Sequence, residues 1–241
     1  MLSIIIPTLW KSNLISKLVE QLNNLPHVSE IIIIDNDLSK TIFYPFDKVS
    51  YIKNDSNNYV NPSWNQGVLK AKEEIICLMS DDVMISDESH FKVMDFIKPE
   101  HGVIGLSQNV YTNINNPIVE NMTFNHVDWR NYGFGPCIFL YKSNYNWIPE
   151  QIKIMYGDDW IFYTGNRPNF VMDGINIWGK ISASEDKEID INLLKSDFTN
   201  FWNLADKYIL NIKYDEDLFS SKKRQALLYY KGFDNINKFE K

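Results

Sequence analysis

The 241-residue sequence has few cysteines, few glycines and prolines, and no long apolar run. Its two cysteines, Cys77 and Cys137, each stand within an apolar segment, which favours buried free thiols over a disulfide framework. With 10 Gly, 9 Pro and 14% aromatic residues, the chain falls outside the collagen-like, linker-like and low-complexity classes. No apolar stretch approaches the roughly 20 residues that span a bilayer, and the first residues lack the basic and apolar regions of a secretory signal. We therefore expect a folded cytoplasmic protein without a transmembrane segment.

An excess of positive charge is also missing, since 24 Lys and Arg face 31 Asp and Glu, for a net charge of −7. All of the negative excess lies in residues 1–179, because residues 180–241 contain equal numbers of both signs. A surface for nucleic acid would be basic, so the charge argues against DNA or RNA as a partner. Acidic clusters can still bind phosphates through a divalent metal ion.

The alternation of apolar and polar segments in the first 82 residues predicts an α/β fold. Strands are expected at residues 3–6, 31–34, 49–52 and 74–79, and the run Ile31 to Ile34 is typical of a parallel strand covered on both faces. Leucines at helical spacing predict a helix before Pro26. Asn61 and Pro62 predict the N-cap and first position of a second helix, which would run to about Lys72.

After Asp82 the predicted elements are less regular. We expect a helix at residues 87–97, a surface loop at 112–120, a helix opening at Gly157, and strands at 103–106, 137–141, 169–172 and 175–178. From about Asp190 the apolar residues have helical spacing. The sequence therefore predicts one domain, residues 1–182, with a C-terminal helical extension, residues 183–241, packed on it.

Three polar clusters follow predicted strands: Pro7-Thr8, Asp35-Asn36-Asp37 and Ser80-Asp81-Asp82. In a parallel α/β sheet, ligands bind at the carboxyl ends of the strands. A carboxylate can accept a base N–H or ribose hydroxyls, and paired carboxylates can hold a hard cation that bridges phosphate oxygens. The clusters therefore suit a nucleoside diphosphate, although an ordinary turn explains residues 35–37 equally well.

Two adjacent carboxylates, Asp158 and Asp159, stand at the start of the helix predicted from Gly157. They are explained either by capping and a favourable helix-dipole contact or by acid–base chemistry. In an acid–base site, crowding separates the pKa values of the two carboxyls and leaves one of them as a base.

Four residues combine aromatic rings and polar side chains in the way that is typical of ligand pockets. They are His126, Asp128, Trp129 and Trp160. The alternative for the first three is a loop with a packed Trp, and for Trp160 a place in the core.

A basic cluster, Ser221-Lys-Lys-Arg224, precedes an apolar helical segment. It could contact an anionic membrane surface and make the protein peripheral to a membrane. A solvated helix face is the alternative, because the cluster is short and its segment is neutral overall.

Together these segments resemble the inverting nucleotide-sugar glycosyltransferases of family 2, which have the GT-A fold. The resemblance spans roughly residues 1–182. It is carried by five motifs in the family's order: Ser3-Ile-Ile-Ile-Pro-Thr8, Ile31 to Asp37, Asn65-Gln-Gly67 with Ala71 to Asp82, Gly133-Phe-Gly135 through Tyr141, and Asp158-Asp159.

The resemblance implies a Rossmann-like, mostly parallel central sheet flanked by helices. It also implies a hexosyltransferase that moves a sugar from a nucleoside diphosphate donor such as a UDP-sugar to a carbohydrate hydroxyl, with inversion, in glycan or polysaccharide synthesis. Asp159, or as second choice Asp158, would be the catalytic base, and Asp82 with Asp81 would hold Mn²⁺ or Mg²⁺. The implied donor-binding residues are Pro7, Thr8, Asp35, Asp37, Asn65, Gly67 and Asp81.

Two departures from the family pattern keep alternatives open. Ser80 stands where the family's metal motif usually has an acidic or amide residue, and no His follows Asp159, Trp178 lying roughly where many members have one. These departures favour an inactive glycan-binding or assembly subunit, whereas the presence of Asp82 and Asp159 opposes it. A nucleotidyltransferase is a further alternative, but residues 7–14 lack the glycine-rich basic loop that it would need.

Overall fold

The computed structural model describes residues 1–112, 116–179, 190–210 and 218–234. The strands are β1 (Leu2–Thr8), β2 (Val28–Asp35), β3 (Val49–Lys53), β4 (Ile75–Met79), β5 (Val83–Met84), β6 (Ile104–Leu106), β7 (Tyr111–Thr112), β8 (Val119–Val127), β9 (Cys137–Tyr141) and β10 (Asn169–Gly179). The helices are α1 (Ile15–Asn24), α2 (Val60–Lys70), α3 (Asp87–Phe96), α4 (Gly157–Thr164), α5 (Ile191–Ala205) and α6 (Leu218–Phe233). Among the described residues we find no helix with the length and apolarity that a bilayer span requires.

One central sheet organises the molecule. Its order is β3-β2-β1-β4-β9-β6-β10-β5, and β7 and β8 also pair with β10. β1 is parallel to β2 and β4, and β2 is parallel to β3. Ile31 and Ile33 pack in a core on one face of the sheet, whereas Ile32 and Ile34 pack in a second core on the other. The expected α/β fold, with a central sheet covered on both faces, is therefore confirmed.

The second half of the sheet is mixed. β9 is antiparallel to both β4 and β6, and β10 is antiparallel to β8 and β5. β8 begins at Val119, so the end of the loop predicted at residues 112–120 is a strand, and residues 113–115 lie outside the described part. The two strands predicted at 169–172 and 175–178 are one strand, β10, whose pairing register shifts beside Gly174. Gly174 has φ +71°, a backbone conformation that glycine adopts without a steric penalty.

The start of α2 differs from the prediction. The helix begins at Val60 and Tyr59 occupies the N-cap position, so the assignment of Asn61 as N-cap is wrong. Asn61 is fully buried, and its side-chain amide donates to the carbonyl of Met155 (3.0 Å). A contact with a segment more than 90 residues away, rather than local capping, determines the orientation of this side chain.

The C-terminal helices complete the core on the α2 face of the sheet. Phe201 and Trp202 of α5 and Leu227 of α6 are buried there with Trp64 of α2. Residues 180–189 lie outside the described part, so the predicted boundary at 182/183 stays a prediction.

The basic cluster at residues 221–224 is not one continuous charged surface. Lys223 is buried, and its Nζ donates to the carbonyls of Gly165 (2.9 Å) and Arg167 (2.6 Å), just beyond the end of α4. A buried amine needs such partners, because leaving water without hydrogen bonds is costly. The cluster is therefore not a fully solvated face, and its contact with a membrane surface stays a prediction.

Candidate active site

The parallel pairing of β1 with β2 and β4 brings the three predicted polar clusters to one edge of the sheet. Thr8 pairs with Asp35 in register, and the Thr8 hydroxyl donates to Oδ2 of Asp81 (2.5 Å). Pro7, half-buried, pairs with Ile34 in the same ladder. The ends of β1, β2 and β4 therefore form one contiguous site.

Asp35 is fully buried and takes four hydrogen bonds. Oδ1 accepts from the Trp10 indole (2.8 Å) and the Asp37 amide (3.0 Å), and Oδ2 accepts from Thr41 (2.6 Å) and Lys53 (2.9 Å). Burial alone would raise the pKa of Asp35, but hydrogen bonds led by those from Thr41 and Lys53 outweigh it and lower the pKa. N–H and O–H groups of the protein fill the accepting positions of Asp35, so this side chain fixes the surrounding loops. Its direct contact with a nucleoside diphosphate stays a prediction.

Asp37 is the more accessible carboxylate of this cluster. Its Oδ1 accepts from the backbone and hydroxyl of Ser39 (2.7 and 2.6 Å) and from the Lys40 amide (3.2 Å). These hydrogen bonds, led by that of the Ser39 hydroxyl, lower the pKa of Asp37. Asp37 is therefore an ionised acceptor at the edge of the sheet.

Asn65 and Gly67 are also predicted to bind the nucleotide-sugar, and in the structure both contact other parts of the protein. The Asn65 side chain donates to the carbonyl of Ile148 (2.8 Å) and accepts from the Tyr145 hydroxyl (2.7 Å) and the Ile148 amide (3.2 Å). A Cβ at position 67 would collide with the Ile5 side chain, so Gly67 allows α2 to lie close against β1. These contacts account for both residues without a bound nucleotide.

Asp81 and Asp82, half-buried, follow β4. Burial raises the pKa of Asp81, and burial together with the Asp81 charge raises the pKa of Asp82 to about 6. No Lys, Arg or His of the described residues forms an ion pair with either carboxylate. Two neighbouring carboxylates that lack a compensating cation fit a hard divalent ion. Within the described residues no cluster of three or more His, Cys, Asp or Glu is present.

The last strand reaches this edge as well. Trp178 and Gly179 of β10 pair with Met84 and Val83 of β5, immediately after Asp82. Gly179 has φ +123°, and a Cβ there would collide with the carbonyl of Asp82, so only glycine fits this position. Trp178 lies roughly where many members of the resembled family have a His. The Lys17 ammonium lies over its ring, 4.2 Å from the ring centre, in a cation–π contact.

A short segment, residues 135–136, lies between the end of β4 and the start of α4. The Ser80 amide donates to the carbonyl of Pro136 (2.9 Å), and the Cβ position of Gly135 lies 2.6 Å from Oδ2 of Asp158. Residues 135–136 therefore contact both Ser80, which precedes Asp81 and Asp82, and Asp158 at the start of α4.

Arg130 connects the carboxylates of α4, and the sequence reasoning missed it. Its Nε donates to Oδ1 of Asp159 (2.5 Å), and its Nη1 lies 3.2 Å from Oδ2 of Asp158. The Asp158 side chain is 18% exposed and that of Asp159 only 3%. Burial raises the pKa of Asp159 to about 6 against the opposing charge of Arg130. No sequence motif includes Arg130. Its position two residues after Asp128, a candidate pocket residue, is the one sequence feature that could have indicated it.

The four candidate pocket residues, for which the family resemblance implies a carbohydrate acceptor, separate into two groups. Asp128 and Trp129 line a cavity of about 380 Å³, together with Ser107, Gln108, Asn109, Val127, Asn131 and Val171. Trp129 is 39% exposed, and His126 Nε2 lies 3.5 Å from Oδ1 of Asp128. Trp160 instead lies in the core, 7% exposed, with its indole donating to the carbonyl of Trp147 (2.9 Å). Trp160 therefore takes the alternative place in the core, and its contact with an acceptor stays a prediction.

Comparison with known proteins adds independent information. A family model described as Glycosyl transferase family 2 matches residues 3–165, whereas the comparison with curated proteins found no match. The crystal structure of S. aureus TarS 1–349 is 15% identical with a TM-score of 0.68, covering 99% of this chain and 74% of that one, and TarS 1–349 in complex with UDP-GlcNAc gives the same values. The mannosyltransferase PcManGT from Pyrobaculum calidifontis, in complex with GDP-Man and Mn²⁺, is 9% identical with a TM-score of 0.57, covering 97% of this chain and 76% of that one. At these identities the structural likeness concerns the fold, and the expected GT-A fold is confirmed.

Proposed function

Because the chain belongs to glycosyl transferase family 2, we propose that it moves a hexose from a nucleoside diphosphate donor to a carbohydrate hydroxyl with inversion, in glycan or polysaccharide synthesis. Such a reaction needs one site that stabilises the leaving diphosphate and another that takes the acceptor's proton. The observation that supports the proposal is that residues 135–136 contact both Ser80, the residue before Asp81-Asp82, and Asp158 of the second acidic pair.

The donor site that we propose lies at the ends of β1, β2 and β4. Asp37 and Thr8 would bind the nucleoside part, while Asp35 holds the loops around it. Asp82 and Asp81 would hold Mn²⁺ or Mg²⁺, and the bound cation would supply charge neutralisation for the diphosphate. A uridine donor is the first choice, because TarS was solved with UDP-GlcNAc, and PcManGT with GDP-Man and Mn²⁺ supports the metal.

The base that we propose is Asp159. With a pKa of about 6 it is ionised at neutral pH yet basic enough to take a proton. Arg130 binds its Oδ1, and among the described residues no hydrogen bond reaches Oδ2. Asp158 is the second candidate because more of its side chain is exposed, and Asp128 and Trp129 would bind the acceptor in the neighbouring cavity.

Donor turnover and binding test this proposal. UDP-GlcNAc, UDP-glucose and GDP-mannose would be offered with Mn²⁺, Mg²⁺ or a chelator, and release of the nucleoside diphosphate measured. We expect Asp159→Asn to lower transfer about 10²- to 10⁴-fold and to leave the binding of UDP unchanged. Asp95→Asn, on the exposed side of α3, is the matched control and should retain full activity.

Other results would change the assignment. If Asp159→Asn turns over as fast as the parent and Asp158→Asn does not, Asp158 is the base. Donor binding without turnover on any acceptor would favour a glycan-binding or assembly subunit.

The metal is tested by a separate variant. We expect Asp82→Ala to weaken the binding of UDP measured by calorimetry in the presence of Mn²⁺, since it removes the principal proposed ligand. In the presence of chelator, parent and variant should bind UDP equally. An affinity that is the same with and without metal in both proteins would instead show that UDP binds without the metal and would contradict the proposed role of Asp82.

A further inference from the structure

The segment that leads into α4 is held by a carboxylate of the C-terminal helix α5. Oδ1 of Asp197 accepts from the Lys153 amide (2.8 Å), and Oδ2 accepts from the amides of Ile154 (2.7 Å) and Met155 (2.9 Å). Asp197 is fully buried. Hydrogen bonds from backbone N–H groups to a carboxylate are stronger than neutral ones, so one side chain determines the path of three successive residues.

The same segment is held from its other side by α2. The Asn61 amide donates to the carbonyl of Lys153 (3.0 Å), and the Asn61 side chain donates to that of Met155 (3.0 Å). A Cβ at Gly157 would collide with the Asn61 side chain. The N–H groups of residues 153–155 thus bind α5, and two of their carbonyls bind α2.

Tyr156 connects the held segment to Asp158 and Asp159. It has φ +63°, its ring stacks on Phe201 of α5 with centroids 4.6 Å apart, and its carbonyl accepts from the Trp160 amide (2.9 Å) at the start of α4. The backbone at Tyr156 therefore determines where Asp158 and Asp159 begin the helix.

We infer that Asp197 is a positioning residue for sugar transfer: through residues 153–157 it keeps Asp158 and Asp159 in place against the acceptor. This inference rests on the proposed function. Asp197 touches none of the reacting groups and acts only through the backbone that precedes α4. Small displacements of a catalytic group cost large factors in rate, so the effect belongs in turnover and not in donor binding.

The variant Asp197→Asn tests the inference, because it removes the charge and one acceptor while nearly preserving the volume. We expect kcat to fall about 10- to 100-fold, with KM for the donor and the affinity for UDP unchanged. Asp206→Asn is the matched control, since it breaks an ion pair with Lys231 (2.5 and 2.7 Å) at the end of α5 and should leave kcat unchanged. An unaltered kcat in Asp197→Asn would overturn the inference.

A second variant and a second measurement keep the test decisive if Asp197→Asn folds poorly. Asn61→Ala releases the same segment without touching α5 and should give the same selective loss of kcat. Amide hydrogen exchange measured on the variants should rise selectively over residues 153–159. If the parent transfers no sugar, the proposed function fails but the exchange data still decide whether Asp197 positions this segment, and a uniform rise or no rise would overturn that.

Discussion

Arg130 is shared between two carboxylates that face the same space at the start of α4. Its guanidinium binds Asp159 through Nε and approaches Asp158 through Nη1. One cation cannot neutralise both the buried carboxylate of Asp159 and the half-buried carboxylate of Asp158, and burial makes an uncompensated charge costly. Burial, and to a smaller extent the charge of Asp158, raises the pKa of Asp159 to about 6, although the charge of Arg130 opposes this rise.

At the residue scale we therefore predict an acidic limb in the pH profile of transfer. Asp159 must be ionised to accept a proton, and its pKa is about 6. The kcat measured at saturating donor and Mn²⁺ should be about tenfold lower at pH 5 than at pH 7, because one pH unit below the pKa about nine-tenths of the carboxyl is protonated. A kcat that does not change over this range would contradict the role of Asp159.

The variant Arg130→Gln tests whether Asp159 is the group that causes the acidic limb of the pH profile. Since the Arg130 charge lowers the pKa of Asp159, its removal should move the limb to higher pH. Arg167→Gln removes an exposed arginine from the loop after α4 and should leave the limb in place. Circular dichroism at each pH would separate titration of the site from unfolding.

At the element scale, α2 illustrates how a helix depends on a single glycine. Gly67 faces the Ile5 side chain on β1, and any Cβ there would collide with it. Its neighbour two positions earlier, Asn65, is bonded to Tyr145 and Ile148 on the opposite side. α2 is thus held between the sheet and the loop after β9, and its distance from the sheet cannot increase without breaking these bonds.

We predict that Gly67→Ala lowers the free energy of unfolding by about 1 to 3 kcal/mol, because an extra methyl in a packed interface forces neighbouring groups apart. Gly232→Ala is the matched control, since it also lies in a helix but, its own helix backbone aside, no atom of the described residues is within 4 Å of its Cβ position. That variant should be about 0.5 kcal/mol more stable because alanine favours helix. Urea unfolding of both variants measures the difference, and equal stabilities would contradict the packing role of Gly67.

At the scale of the whole molecule, two cores lie on opposite faces of one sheet, and α5 and α6 complete the one that also contains α2 and α4. Phe201, Trp202 and Leu227 are buried in it. Asp197 links α5 to the segment before Asp158 and Asp159. Within the predicted extension, α5 and α6 therefore contribute to the core, and α5 also holds the segment that leads into α4.

We predict that a chain ending at residue 182 does not fold as the full chain does. Each large apolar side chain contributes about 2 kcal/mol when buried, so losing Phe201, Trp202 and Leu227 removes on the order of 6 kcal/mol, comparable with the whole stability of a domain. Binding of a hydrophobic dye and loss of a cooperative thermal transition would show this. A truncated chain that melts at the temperature of the full chain would contradict it.

The sequence by itself determined the α/β alternation, the strand of four isoleucines, the polar residues at the ends of β1, β2 and β4, and the acidic start of α4. These features follow from periodicity and turn chemistry among near neighbours. Tertiary structure alone decided that Arg130 binds Asp158 and Asp159, that Asn65 and Gly67 pack, that Trp160 and Lys223 are buried, and that Asp197 holds residues 153–155. The physical reason is that a buried polar group needs a partner, and which partner it finds depends on the distant segments that fold against it.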